Sequence, residues 1–145
     1  MKKTFKMAAC ALLTLSLLTT ACKKDEPTPS EILTAASCWK VTLVEGYVSG
    51  SGLWVSVPME TCMADNCFTF LSNQTFQVDE GAAKCDANDP QTSTGGWSIS
   101  SDGKQLSLTN DQSFDIGTII NIEKDKLVYE MSLDQDKIRF TMETR

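Results

Sequence analysis

From Trp39 onward the apolar residues of this chain recur at every second position rather than every third or fourth. Trp39, Val41 and Leu43 alternate with Lys40, Thr42 and Val44. That period belongs to a strand with one buried face and argues against an amphipathic helix over the same residues. Residues 68–71 and 76–78 flank the turn Ser72-Asn73-Gln74-Thr75, a hairpin whose turn lacks the usual glycine. Residues 96–100 and 105–108 flank Ser101-Asp102-Gly103-Lys104, and Asp-Gly between alternating runs is a strong hairpin signal. Residues 113–122 read as one strand, with Gly117 marking a bulge. Two more strands, 126–133 and 137–142, meet at Asp134-Gln135-Asp136. The first strand is expected to break at the glycine-rich interval 46–52. Residues 53–57, which run into Pro58, are expected to form a loop with some extended structure. Residues 31–36 suit a short helix capped by Ser30 and folded over one end. Eight strands without a long helix point to a closed antiparallel barrel or a sandwich.

The N-terminal end has a different grammar. Lys2, Lys3 and Lys6 precede an apolar run from Met7 to Leu18, and small residues then lead to Cys22. A basic start, a short apolar core and small residues before a cut site describe a secretory signal. The run is shorter than the ~20 apolar residues a spanning helix needs. Thr19-Thr20-Ala21-Cys22 resembles a bacterial lipobox, with Leu18 four residues before the cysteine rather than three. The resemblance implies a diacylglycerol on the Cys22 sulfur, cleavage before it, and anchoring in a membrane by acyl chains. Residues 1–21 are then the signal peptide, and 22–32 are the lipidated cysteine and a flexible tether. Residues 33–145 form the folded domain. Lys24-Asp25-Glu26 resembles a short surface-export signal, which implies an outer-membrane lipoprotein exposed at the cell surface.

After the cut, 19 acidic side chains face 10 basic ones, a balance of −9. Such a surface repels phosphate backbones, so no nucleic-acid partner is expected. Nor can it attract anionic lipid, so membrane attachment rests on the acyl chains. Beyond Cys22 four cysteines remain: Cys38, Cys62, Cys67 and Cys85. An even number in an exported chain suggests two disulfides, with three connectivities open. No Cys-x-x-Cys pair and no histidine are present, so no metal site is expected.

Several segments follow one familiar order: Ser37-Cys38-Trp39-Lys40, Phe68-Thr69-Phe70, Val78 through Asp86, Asp89-Pro90-Gln91-Thr92, and Gly96-Trp97-Ser98-Ile99. Together they resemble the lipocalin-like domain of small Bacteroidota lipoproteins. The resemblance implies an eight-stranded, up-and-down, calycin-type barrel over roughly residues 33–145. Ser37 stands where lipocalins carry the glycine of Gly-x-Trp, and the family brings no settled activity with it.

Catalysis finds little support. Without histidine there is no imidazole proton shuttle and no His-based triad, so no enzyme is expected. Asp79 with Glu80, and Asp86 with Asp89, read as solvated turn residues rather than a paired-carboxylate site. Asp86-Ala87-Asn88-Asp89 starts like a calcium loop, but Pro90 and Gln91 break the spacing. No cofactor is expected.

The aromatics Trp39, Phe68, Phe70, Phe76, Trp97, Phe114, Tyr129 and Phe140 all fall in the expected strands. On the inner face of a barrel they either fill it or line a pocket for a small apolar ligand. A solid barrel serving as an interaction or structural module, with an envelope protein or glycan as partner, is the alternative. Trp54, expected in a loop, is then a candidate contact.

The hairpin also orders the cysteines. Cys62 and Cys85 both lie beyond the open end of the hairpin formed by residues 68–78, which pairs them and leaves Cys38 with Cys67. Each of the latter two precedes an aromatic residue, Trp39 and Phe68. If both rings point inward, both thiols point outward on one face.

Overall fold

A computed structural model describes residues 26–110, 114–133 and 136–145. The signal peptide, the expected lipidation site Cys22 and most of the tether, with Lys24-Asp25, lie outside the described residues. So do residues 111–113, where the sixth expected strand starts, and residues 134–135 of the last turn.

The chain is nearly all β. The strands are β1 (Trp39–Val48), β2 (Leu53–Val57), β3 (Cys67–Phe70), β4 (Thr75–Asp79) and β5 (Thr92–Ile99), then β6 (Gln105–Thr109), β7 (Phe114–Glu123), β8 (Lys126–Leu133) and β9 (Asp136–Thr144). All neighbouring pairs are antiparallel, in the order β2-β1-β3-β4-β5-β6-β7-β8-β9, and β1 also pairs with β9. Eight strands close into a barrel, one of the two architectures the alternation leaves open and the one the resemblance implies, and β2 is an addition to it. Along one side β1 pairs with β9 from Trp39 to Gly46. Along the other it meets β3 at one register pair, Trp39 with Phe68, and then carries β2 from Val44 to Val48.

Two expectations fail here. Residues 53–57 are a strand, and β1 runs through Gly46 to Val48 instead of breaking there. The glycines at 50 and 52 form the turn of a β1–β2 hairpin, with Gly52 at φ +69° in the left-handed region. β1 outruns β3, so its spare backbone edge is satisfied by β2.

Bulges set the phase of the side chains. In β1 the register slips between Val41 and Leu43. Thr42 is the extra residue, so Val44 rather than Leu43 continues the buried face, and Leu43 is exposed. In β7 the slip lies between Ile119 and Asn121, not at Gly117. Gly117 answers packing instead. A Cβ there would come within 2.7 Å of Tyr129 Cδ2, so the missing side chain makes room for the ring.

A helix, α1 (Pro29–Ala35), covers one end of the barrel. Its cap is Thr28, not Ser30. The Glu31 amide donates to Thr28 Oγ1 (3.3 Å), and the Thr28 amide donates to Glu31 Oε2 (2.7 Å). With Pro29 opening the helix, this reciprocal pair satisfies donors that a Ser30 cap would leave inside the first turn. α1 therefore takes in residues 29–32, which the sequence assigns to the tether. Leu33 is fully buried, and the Trp39 indole Nε1 donates to its carbonyl at 3.0 Å. The helix end is thus sealed by Leu33, Trp39, Phe70, Leu106, Leu127 and Met142.

Both disulfides form as paired from the hairpin, Cys38–Cys67 and Cys62–Cys85, with Cα–Cα distances of 5.4 and 5.1 Å. The second ties the loop before β3 to the loop after β4. Asp65 reinforces that tie. Its Oδ2 accepts from the amides of Ala82 (2.7 Å) and Ala83 (3.2 Å).

Candidate functional site

The end of the barrel away from α1 is open. A cavity of about 560 Å³ enters it between β3 and β7, lined by Phe68, Phe76, Val78, Pro90, Ser93, Thr94, Leu108, Asn110 and Asp115. That size falls within the range of small-molecule sites.

Strand register explains the lining. Phe68 faces Val78 and Phe70 faces Phe76 across the β3–β4 hairpin, so all four share the inner face. Val78 pairs with Ser93, and Phe76 pairs with Gly95. A Cβ on Gly95 would strike the Phe76 ring, so the missing side chain makes room for that ring. On β6 and β7, Leu106 pairs with Gly117 and Leu108 with Asp115. Beside the apolar Phe68, Phe76, Val78 and Leu108, the wall carries the smaller polar Ser93, Thr94, Asn110 and Asp115. The cavity exists because these smaller side chains do not fill the space between the apolar ones.

The eight aromatics divide. Trp39, Phe70, Phe76, Trp97 and Tyr129 are buried and form the core. Trp97 is held edge-on to Phe70, with ring centroids 5.6 Å apart, and its Nε1 donates to the Leu71 carbonyl at 3.0 Å. Phe140 stacks on Tyr129 at 5.2 Å. Phe68 and Phe76 reach the cavity wall. Phe114 does neither. It is 63% exposed, on the outer face with Ile116, while Asp115 between them faces in. The expectation that Phe114 lies inside fails because Gly117 must face Tyr129, which turns positions 114 and 116 outward. Filling and lining thus occur together, at opposite ends of one barrel.

Trp54 is not a free loop residue. It lies on β2 opposite Tyr47, half-buried, with the Arg139 guanidinium 4.0 Å from its ring. Arg139 in turn donates to Glu130 Oε1 from Nε (3.0 Å) and Nη2 (2.6 Å). Such a stack ties the β1–β2 hairpin to β9 on the outside of the barrel.

The acidic loop residues are turn-formers. Asp79 Oδ1 accepts from the Gly81 amide (2.8 Å) and Gln91 Nε2 (3.0 Å), and Asp86 Oδ1 accepts from the Asn88 amide (2.8 Å). Bonds to the Gly81 amide and to Gln91 lower the Asp79 pKa. Burial, with the nearby charge of Asp115 adding to it, raises the pKa of the Tyr129 phenol.

The sequence reading missed Val78, Pro90, Ser93, Thr94, Leu108, Asn110 and Asp115. For Leu108 and Val78 the signal was present in the alternation. For Asp115 the alternation pointed the wrong way.

No family model, curated protein or solved structure matches this chain.

Proposed function

We infer that this is a lipid-anchored envelope protein whose barrel mouth binds a small, largely apolar ligand. The observation that carries the reading is the 560 Å³ cavity, with Phe68, Phe76, Val78 and Leu108 in its wall. A barrel of eight strands can be filled entirely by side chains, and this one is filled at one end only. Its likeness in segment order to the lipocalin-like domain of small Bacteroidota lipoproteins supports the lipid-anchored envelope part of the reading. Two disulfides support export to an oxidising compartment. The anchor on Cys22 attaches the protein to the outer membrane, on the cell surface if Lys24-Asp25-Glu26 acts as an export signal.

The tether enters the fold at Thr28, beside the closed end. A six-residue span reaches at most about 20 Å. The closed end is therefore the one held nearest the lipid, and the mouth opens toward the aqueous side.

Native mass spectrometry of the protein purified from its own host tests the reading. A small molecule retained by the wild type and lost from Ser93→Trp, which fills the mouth, is the expected result. Retention unchanged by Ser93→Trp, or no uptake of any offered alkyl-chain compound, overturns it.

A further inference from the structure

Strand β7 is built inside out. Of its first residues the apolar ones, Phe114 and Ile116, face solvent, at 63% and 46% exposure, and the acid between them faces the cavity. A sequence selected only for a stable barrel would place these the other way round. Register leaves no choice: Asp115 lies opposite Leu108 and two residues before Gly117, which must accommodate the Tyr129 ring. Local rules broken in this manner are expected where a site has been built.

We propose that the cavity takes an amphiphile with a cationic head group, its alkyl or aromatic body against Phe68, Phe76, Val78 and Leu108 and its positive charge at Asp115. The inference rests on the binding reading above and adds the class of ligand. Asp115 is the one ionisable side chain among the residues that line the cavity, and a carboxylate attracts a cation. Among the described residues that line the cavity there is no lysine or arginine, and Ser93, Thr94 and Asn110 supply neutral polar groups beside the acid. The approach is also acidic. The loop from β4 to β5 carries Asp79, Glu80, Asp86 and Asp89 and reaches the rim through Pro90. Its one cation, Lys84, donates to the Asp89 carbonyl. With 19 acidic and 10 basic side chains after Ala21, the long-range field has the same sign. An anionic amphiphile such as a fatty acid meets repulsion at every one of these points.

The test is a set of three probes sharing a dodecyl chain: dodecyltrimethylammonium, dodecanol and dodecyl sulfate. Each is titrated below its micelle concentration into the full chain carrying Cys22→Ala, which leaves no acyl chain of its own to compete. The expected order of affinity is cationic, then neutral, then anionic, with about a tenfold step from cationic to neutral, shrinking as salt is added. Asp115→Asn should bring the cationic probe to the level of the neutral one while leaving dodecanol binding unchanged, which shows that the cavity has kept its shape. Equal or stronger binding of dodecyl sulfate by the wild type overturns the cationic assignment and leaves the binding reading standing. A cationic preference that survives Asp115→Asn also overturns it. Failure of all three probes to bind overturns the binding reading itself.

Discussion

Trp39 and Phe68 are the single register pair that joins β1 to β3, and the Cys38–Cys67 disulfide spans the same junction. The barrel is continuous everywhere else through ladders of four or more pairs, so this seam is its thinnest point. Removing the bridge by a Cys38→Ala/Cys67→Ala double substitution should therefore act locally as well as globally. The 29-residue separation corresponds to a loss of about 3.6 kcal/mol in the chain-entropy model. Hydrogen exchange should rise first in β3 and the start of β1. Uniform loss of protection across all strands would show that the seam is not the weak point.

Gly117 and Tyr129 form the contact that sets the phase of β7. Gly117→Ala should cost about 1–3 kcal/mol, because the added methyl meets a packed ring and the carbonyl of Glu130. Thermal unfolding of the single variant and of the pair Gly117→Ala/Tyr129→Leu checks the cause. The second substitution should recover part of the loss. Additive losses would mean that the two positions do not press on each other.

Asp65 makes stability depend on pH. Its carboxyl is held below the usual carboxylate range mainly by the Ala82 amide, with further help from the Ala83 amide and Lys40 against an opposing effect of burial. Asp79, Asp102 and Glu31 are lowered by hydrogen bonds in the same way. A group whose pKa falls on folding stabilises above its unfolded value, near pH 4, and loses that contribution as pH falls through the folded value. Unfolding midpoints should thus be flat from pH 7 to about 5 and drop below it. Asp65→Asn should lie below the wild type at pH 6 and approach it by pH 2–3. Parallel curves would remove Asp65 as a source of the acid sensitivity.

Cys22→Ala tests the anchor without touching the barrel. Incorporation of labelled fatty acid should vanish and the protein should move from the membrane to the soluble fraction. Both disulfides should remain intact on peptide mapping. Membrane association that persists would refute acylation at Cys22 as the attachment.

The amino-acid sequence determined the period of every barrel strand, the Asp102-Gly103 turn and the count of eight. It also determined the cysteine pairing, because hairpin connectivity alone decides which cysteines are neighbours. What it could not state was phase. Alternation shows that successive side chains point opposite ways, and which set points inward depends on the register with the next strand. Bulges at Thr42 and Ile120 shift that phase mid-strand, and the Gly117–Tyr129 contact reverses the apparent polarity of Phe114, Asp115 and Ile116. Residues 53–57 became a strand only because β1 had an edge that β3 was too short to cover. The cavity was the least legible feature, since its wall is made of apolar and small polar side chains brought level by five strands. Such a coincidence of heights is a property of the closed sheet, and no single stretch of the chain carries it.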